Sequence, residues 1–269
     1  MPDLLVAYVP ALVNSALFIA GFFVLGLWLA SLALRDSSIC DIFWGLGSAA
    51  VAWVAWLTVG GHGTRAVVML LAVTLWGVRL GLYIGKRNWG EEDRRYARLR
   101  QHVTDQGKNY ALYSLRAVFG MQGLFMFICT LPMVVAIATP ESKPGPLMWL
   151  GLVLWVIGFV TESVADWQMS RFRRERSRPG LVMDKGLWRY SRHPNYFGEM
   201  VIQWGFFVMA CDVGLAGYLT IAGPLVLSYG IIGPLGAKLL ERRLNKKNPG
   251  YEDYVRRTSA FVPWPPKKV

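Results

Sequence analysis

Residues 8–34, YVPALVNSALFIAGFFVLGLWLASLAL, hold no Asp, Glu, Lys or Arg, and the run stops at Arg35. A bilayer's hydrocarbon core takes about 20 apolar residues per helix, so this stretch reads as a membrane-spanning helix. Six further runs follow, near 39–60, 65–85, 115–138, 147–168, 196–212 and 214–236. The expected fold class is therefore all-α: a polytopic membrane bundle of seven transmembrane helices. Composition agrees, with 54% hydrophobic residues, only 17% charged and a mean hydropathy of +0.34, which lies outside the range of ordinary soluble domains.

A net charge of +12 raises the question of nucleic acid, and the positions of the charges answer it. Of the 29 Lys and Arg residues, the stretch 86–114 with Arg116 holds eight, 169–195 holds eight, the tail beyond 237 holds nine and the first connection holds Arg35. The opposite connections hold only Arg65 and Lys143, with Arg79 inside the third span. Seven spans put every rich segment on one face, so the positive-inside rule predicts an outside N-terminus and a cytoplasmic C-terminus. The partners expected are membrane lipids and a hydrophobic small molecule, not nucleic acid. The start MPDLLVAYVP lacks a basic n-region, so no cleavable leader is expected. Cys40, Cys129 and Cys211 stand singly in apolar runs and read as packing residues. Trp28, Trp89, Trp149 and Trp264 near span ends fit interfacial anchoring, and Gly77, Gly81 and Gly85 form a ridge for close helix approach.

Ionisable groups at membrane depth are costly and usually pair, line a cavity or serve function. Here they fall into stripes. Asp41, Trp44 and Ser48 share a face of the second span, and Arg79 and Tyr83 share one on the third, with Arg87 and Asn88 at its end. Glu162, Asp166 and Ser170 line the fifth span and run into RFRRERSR; Asn195, Glu199 and Gln203 open the sixth. These stripes predict a polar cavity open to the cytoplasm; the alternative is a set of internal salt bridges, such as Arg79 with Asp41 or Glu199. Gly45–Ala50 fits GxGxxA but lies within an apolar span with no preceding strand. A nucleotide would instead be held by side chains, with arginines on phosphates, aromatics on rings, and carboxylates or amides on ribose hydroxyls. Arg171, Tyr190, Arg192, His193, Asn195 and Glu199, with Glu162 and Asp166, supply these types. His62 and His102 read as solvated.

The segment Gly186-Leu-Trp-Arg-Tyr-Ser-Arg-His-Pro-Asn-Tyr-Phe-Gly-Glu199 resembles the C-terminal domain of the steroid 5α-reductase superfamily, in particular its bacterial branch of membrane proteins. So do Asp166–Phe172, Glu241–Leu244, Pro249–Tyr254, Phe261–Trp264, Asp41–Gly45 and Arg79–Tyr83. The resemblance implies NADPH as cofactor and reduction of a conjugated carbon–carbon double bond in a steroid- or lipid-like substrate, an oxidoreductase of lipid metabolism in the bacterial inner membrane. It implies cofactor roles for Asn195, Glu199, Asp166, Tyr190, Arg79 and Glu241. Asp41, Trp44 and Tyr83 are expected at the reacting end, and Arg87, Asn88, Glu162, Arg171, Arg192 and His193 on the cofactor side. The chain is read as one membrane-embedded domain over 1–269, with substrate-side helices in 1–114 and a reductase-like half in 115–269. Trp76 stands where the steroid reductases have a catalytic Tyr, and their second-helix Gln-Glu pair has no match, so the cofactor half of the resemblance is the fuller one. Arg192, His193, Pro194, Tyr196 and Gly198 also resemble the Arg-His-Pro-x-Tyr-x-Gly run of isoprenylcysteine carboxyl methyltransferases, which implies S-adenosylmethionine instead. A non-enzymatic transporter or lipid-binding protein is the third reading.

Overall fold

The computed structural model describes residues 2–60, 63–88, 90, 92–140, 143–176, 181–233, 236–237, 241 and 251–267. Trp89, His62, Pro234, residues 177–178 of the basic run and residues 242–250 of the tail motif lie outside them. Among the described residues every regular element is helical. Lipid offers no hydrogen bonds, so a spanning backbone must satisfy its own N–H and C=O groups, and the helix does this within one segment.

The elements are α1 (Pro2–Phe18), which passes through a π-helical stretch (Ile19–Gly26) into α2 (Leu27–Leu34), then α3 (Ile39–Val59), α4 (Thr64–Asn88), α5 (Arg94–Asp105) and α6 (Tyr110–Ser114). A second π-helical stretch (Leu115–Gly120) leads into α7 (Met121–Ala138). After it come α8 (Pro146–Glu175), a 3₁₀ turn (Gly186–Arg189), α9 (Pro194–Cys211), α10 (Leu215–Tyr218), α11 (Ala222–Ile232) and α12 (Tyr251–Arg257). Six stretches are long and apolar enough to cross a bilayer: Tyr8–Leu34, Ile39–Val59, Thr64–Asn88, Tyr110–Ala138, Pro146–Glu175 and Leu215–Ile232. Leu17, Leu57, Leu71 and Leu82 are 60–68% exposed, a pattern that water penalises and lipid does not. The protein is an integral, multi-pass membrane protein. The remaining expected span exists as α9, but Asn195, Glu199 and Gln203 in its first half leave it outside this set.

The chain forms two compact units, one of residues 1–148 with 209–223 and one of 149–208 with 224–269. Helix α7, expected in the reductase-like half, belongs to the first. That unit is organised on the glycine ridge of α4. A Cβ on Gly45 would lie 2.7 Å from the Gly77 carbonyl oxygen and one on Gly81 would lie 2.6 Å from Leu46, so α3 and α4 touch backbone to backbone. Distant parts of the sequence are tied by Asp212, which accepts from the Gly145 and Met148 amides and pairs with Arg65 at 3.9 Å, both side chains over 90% buried.

In the second unit the same device joins α8 to α9. A Cβ on Gly158 would meet the Gly198 carbonyl and the Ile202 amide at 2.7 Å, one on Gly198 the Glu162 amide at 2.6 Å, and one on Gly205 the Trp155 amide at 2.7 Å. Three glycines on one seam bring two helices into contact along most of their length, the small-residue packing that lipid-embedded helices rely on.

Candidate functional site

The α8–α9 seam carries the polar stripe of the second unit. Four residues on from Gly158 stands Glu162, and four further Asp166; both are buried, as is Gln203 on α9. Asn195 Nδ2 donates to Asp166 Oδ1 at 3.2 Å, and Glu199 follows one turn later, half-buried. The two stripes thus meet at the Asp166–Asn195 hydrogen bond, with Glu162 beside Gly198 on the same seam. Carboxylates are acceptors only and amides are both donor and acceptor, a set suited to hydroxyls and carboxamides.

Arg192, His193 and Glu241 meet one another. Arg192 Nε donates to Glu241 at 2.7 Å and His193 Nε2 stands 3.1 Å from the same oxygen. Burial would raise the Glu241 carboxyl, but the His193 and Arg192 hydrogen bonds reverse this and hold it at about 2. Arg192 also donates to the Val255 and Thr258 carbonyls, at 3.0 and 2.7 Å. Around it the tail is pinned further: Ser191 Oγ donates to the Phe261 carbonyl, Tyr254 Oη to the Trp188 carbonyl, and the Trp264 amide to the Tyr190 carbonyl. Much of the 186–193 motif therefore acts as a clamp on the C-terminal segment, a role that sequence reasoning missed. Its signal was the Tyr254 and Phe261 side of the tail motif. His193 is buried and stacks on Tyr196, with ring centroids 5.6 Å apart, whereas Tyr190 leaves its ring exposed.

Arg171 lies elsewhere on α8, paired with Glu175 and set over the Trp167 ring, in the wall of a cavity of about 470 Å³ whose lining includes none of the seam residues.

In the first unit Asp41 does not pair with Arg79 in any described contact. Its carboxylate accepts from Arg95 at 2.7 Å and from Tyr96 Oη at 2.8 Å, and Gln122 Nε2 donates to the same phenol at 3.0 Å. Burial first, then the Asp41 charge, pushes the Tyr96 phenol well above its usual range, so it keeps its proton at neutral pH. Helix α5 supplies Arg95 and Tyr96; Tyr96, Leu99 and Val103 at i, i+3, i+7 were the amphipathic signal for its docking. Trp44 offers its carbonyl to Ser48 Oγ. The guanidinium groups of Arg79 and Arg87 each lie 5.8 Å from the Tyr83 ring centre, so Tyr83 is held between two cations. Arg87 Nε also donates to Asn88 Oδ1.

Among known proteins, an uncharacterized protein of Schizosaccharomyces pombe, C594.04c, is 27% identical over 289 aligned positions, covering 93% of this chain and 80% of that protein. A Protein-S-isoprenylcysteine O-methyltransferase of Dictyostelium discoideum is 34% identical over 67 residues, only 23% of this chain and 28% of the methyltransferase. No solved structure matches significantly. Residues 27–258 match the protein family of unknown function DUF1295, which spans every candidate residue above, and the chain belongs to that family.

Proposed function

We propose that this protein is a membrane-embedded reductase that uses NADPH to saturate a conjugated carbon–carbon double bond in a hydrophobic, steroid- or lipid-like substrate. The observation that carries the reading is the Asp166–Asn195 hydrogen bond, made between two helices in backbone contact, with buried Glu162 one turn away on the same seam. A polar row so placed within an apolar bundle is expensive to maintain for packing alone. Its chemistry fits the ribose and carboxamide of a dinucleotide. Asp166 fixes the orientation of the Asn195 amide, and Glu199, one turn on, offers a carboxylate to hydroxyls. The glycine seam holds α8 and α9 in backbone contact, which fixes the positions of the polar groups on the two helices. When bound, NADPH supplies a hydride to the electron-poor carbon. In the first unit Asp41 orients Tyr96 and holds the phenolic proton at Tyr96 Oη, while Trp44 and Tyr83 complete the set proposed for the reacting end. The basic connections and the C-terminus lie in the cytoplasm of a bacterial inner membrane under this reading, with the N-terminus outside.

Methyl transfer from S-adenosylmethionine is the second reading, favoured by the 34% identity to the Dictyostelium discoideum methyltransferase. Mass spectrometry of the small molecules that copurify with the chain in mild detergent separates the two. NADPH or its oxidised form supports the reductase; S-adenosylmethionine or its demethylated product supports the methyltransferase and overturns the proposal.

A further inference from the structure

Helix α8 carries a second chemistry on the face turned away from its carboxylates. Taking about 100° per residue, Trp149, Val153, Ile157, Val160 and Trp167 fall on one side of α8, and Glu162 and Asp166 on the other. Those five apolar side chains are 50–57% exposed, so they form a continuous apolar stripe along the helix. The two indoles that bound it stand 18 residues apart in the sequence, about 27 Å at about 1.5 Å per residue. That nearly matches a hydrocarbon core of about 30 Å, and tryptophans at both ends of such a span mark the two interfaces. Beyond Trp167 the helix runs on for two turns to Glu175, so its last residues stand at headgroup level.

The cavity of about 470 Å³ opens at that level, between Trp167, Gln168, Arg171 and Phe172 of α8, Arg176 just past its end, and the segment 181–186. Both of its acids are matched: Glu175 by Arg171 at 2.8 Å and Asp184 by Arg257 at 2.8 Å. Arg176 and Lys185, also in its lining, make no ion pair among the described residues, so the wall is left with net positive charge. An apolar stripe the length of one or two acyl chains thus ends in a cationic pocket with an indole at its rim.

We infer that this pocket is a binding site for an anionic phospholipid, with its phosphate against Arg171, Arg176 and Lys185 and its acyl chains along the half of the stripe nearer Trp167. The cavity shares no lining residue with the α8–α9 seam, and the inference gives Arg171, expected on the cofactor side, to a lipid phosphate instead. The lipid would be an annular partner held in one place, with the phosphate of the headgroup as the recognised group.

The test uses the full chain purified in mild detergent, titrated with phosphatidylglycerol or with phosphatidylcholine of the same acyl chains, and bound lipid counted by native mass spectrometry. Two double variants are compared, Arg176→Gln with Lys185→Gln in the pocket wall, and Arg173→Gln with Arg174→Gln, which are equally exposed and basic but outside the lining. A basic side chain near an anionic headgroup is worth about fivefold in affinity. The wild type should therefore prefer phosphatidylglycerol, the wall variant should lose that preference by roughly tenfold or more, and the control variant should retain it. An equal loss in both variants would mean diffuse attraction to anionic lipid and overturn the site. So would the absence of any preference, or displacement of the lipid by millimolar inorganic phosphate or NADPH, which would assign the pocket to a soluble phosphate compound.

Discussion

Replacing Gly198 with alanine tests the seam on which the candidate site is built. The added Cβ would stand 2.6 Å from the Glu162 amide nitrogen, 2.8 Å from the Glu162 Cβ and 2.8 Å from the Gly158 carbonyl oxygen. Each of these is helix backbone or the root of a side chain, so no rotamer change relieves the clash. Ordinary contact begins near 3.4 Å, so α9 must move off α8 by about 0.8 Å. Overpacking of this kind costs about 1–3 kcal/mol. The same displacement carries the 3.2 Å Asn195–Asp166 hydrogen bond beyond the range of a good bond. Gly230→Ala is the control: it lies in α11, and a Cβ there meets nothing within 4 Å. That change should be neutral or stabilise by up to about 1 kcal/mol. Thermal unfolding in detergent, read by tryptophan fluorescence, should give a clear loss for Gly198→Ala and none for Gly230→Ala. Equal stability of the two variants would refute the backbone contact between α8 and α9.

The tail clamp predicts an acid-sensitive step: Glu241, normally near 4.5 and held at about 2, contributes stability that is complete above about 4.5 and is lost as the pH falls toward about 2. Limited proteolysis at falling pH should release the C-terminal segment in that window in the wild type, and at all pH values in Arg192→Ala, which removes the donor to Glu241, Val255 and Thr258. Asp212→Ala leaves Arg65 buried without its described carboxylate partner and the Gly145 and Met148 amides without their acceptor. The two amides left without their acceptor should cost about 1–3 kcal/mol each, measured as a lowered midpoint of denaturant unfolding.

Which parts were legible in advance follows from the range over which each constraint acts. The spans near 8–34, 39–60 and 65–85 were readable because a bilayer demands a long uninterrupted apolar run, and the α4 ridge because Gly77, Gly81 and Gly85 repeat at helical spacing. The polar stripes of Asp166 and Asn195 were readable from their four-residue step, but their pairing with each other was not. The status of α9 was harder, because the polar stripe that makes it interesting also lowers its hydropathy. Asp41 could not be paired from sequence: Arg95 lies 54 residues away and reaches it only because the short amphipathic helix α5 docks against the start of α3. Arg192 and His193 were read as cofactor-side residues because arginines suit phosphates and His193 lies between Arg192 and Pro194 at the expected cavity mouth. Their bonds to Glu241 and to the tail carbonyls depend on a chain reversal that no local pattern records.

The most direct test of the central claim is an equilibrium titration of the purified protein with NADPH, set beside Glu199→Gln and Asn195→Ala and repeated with S-adenosylmethionine. Losing a charge-assisted hydrogen bond to a ligand costs about 1.5–3 kcal/mol, so each variant should bind NADPH roughly tenfold or more weakly, with S-adenosylmethionine bound by none. If Glu199→Gln binds NADPH as tightly as the wild type and only melts earlier, the α8–α9 seam is a structural network and the account of it as a cofactor site is wrong.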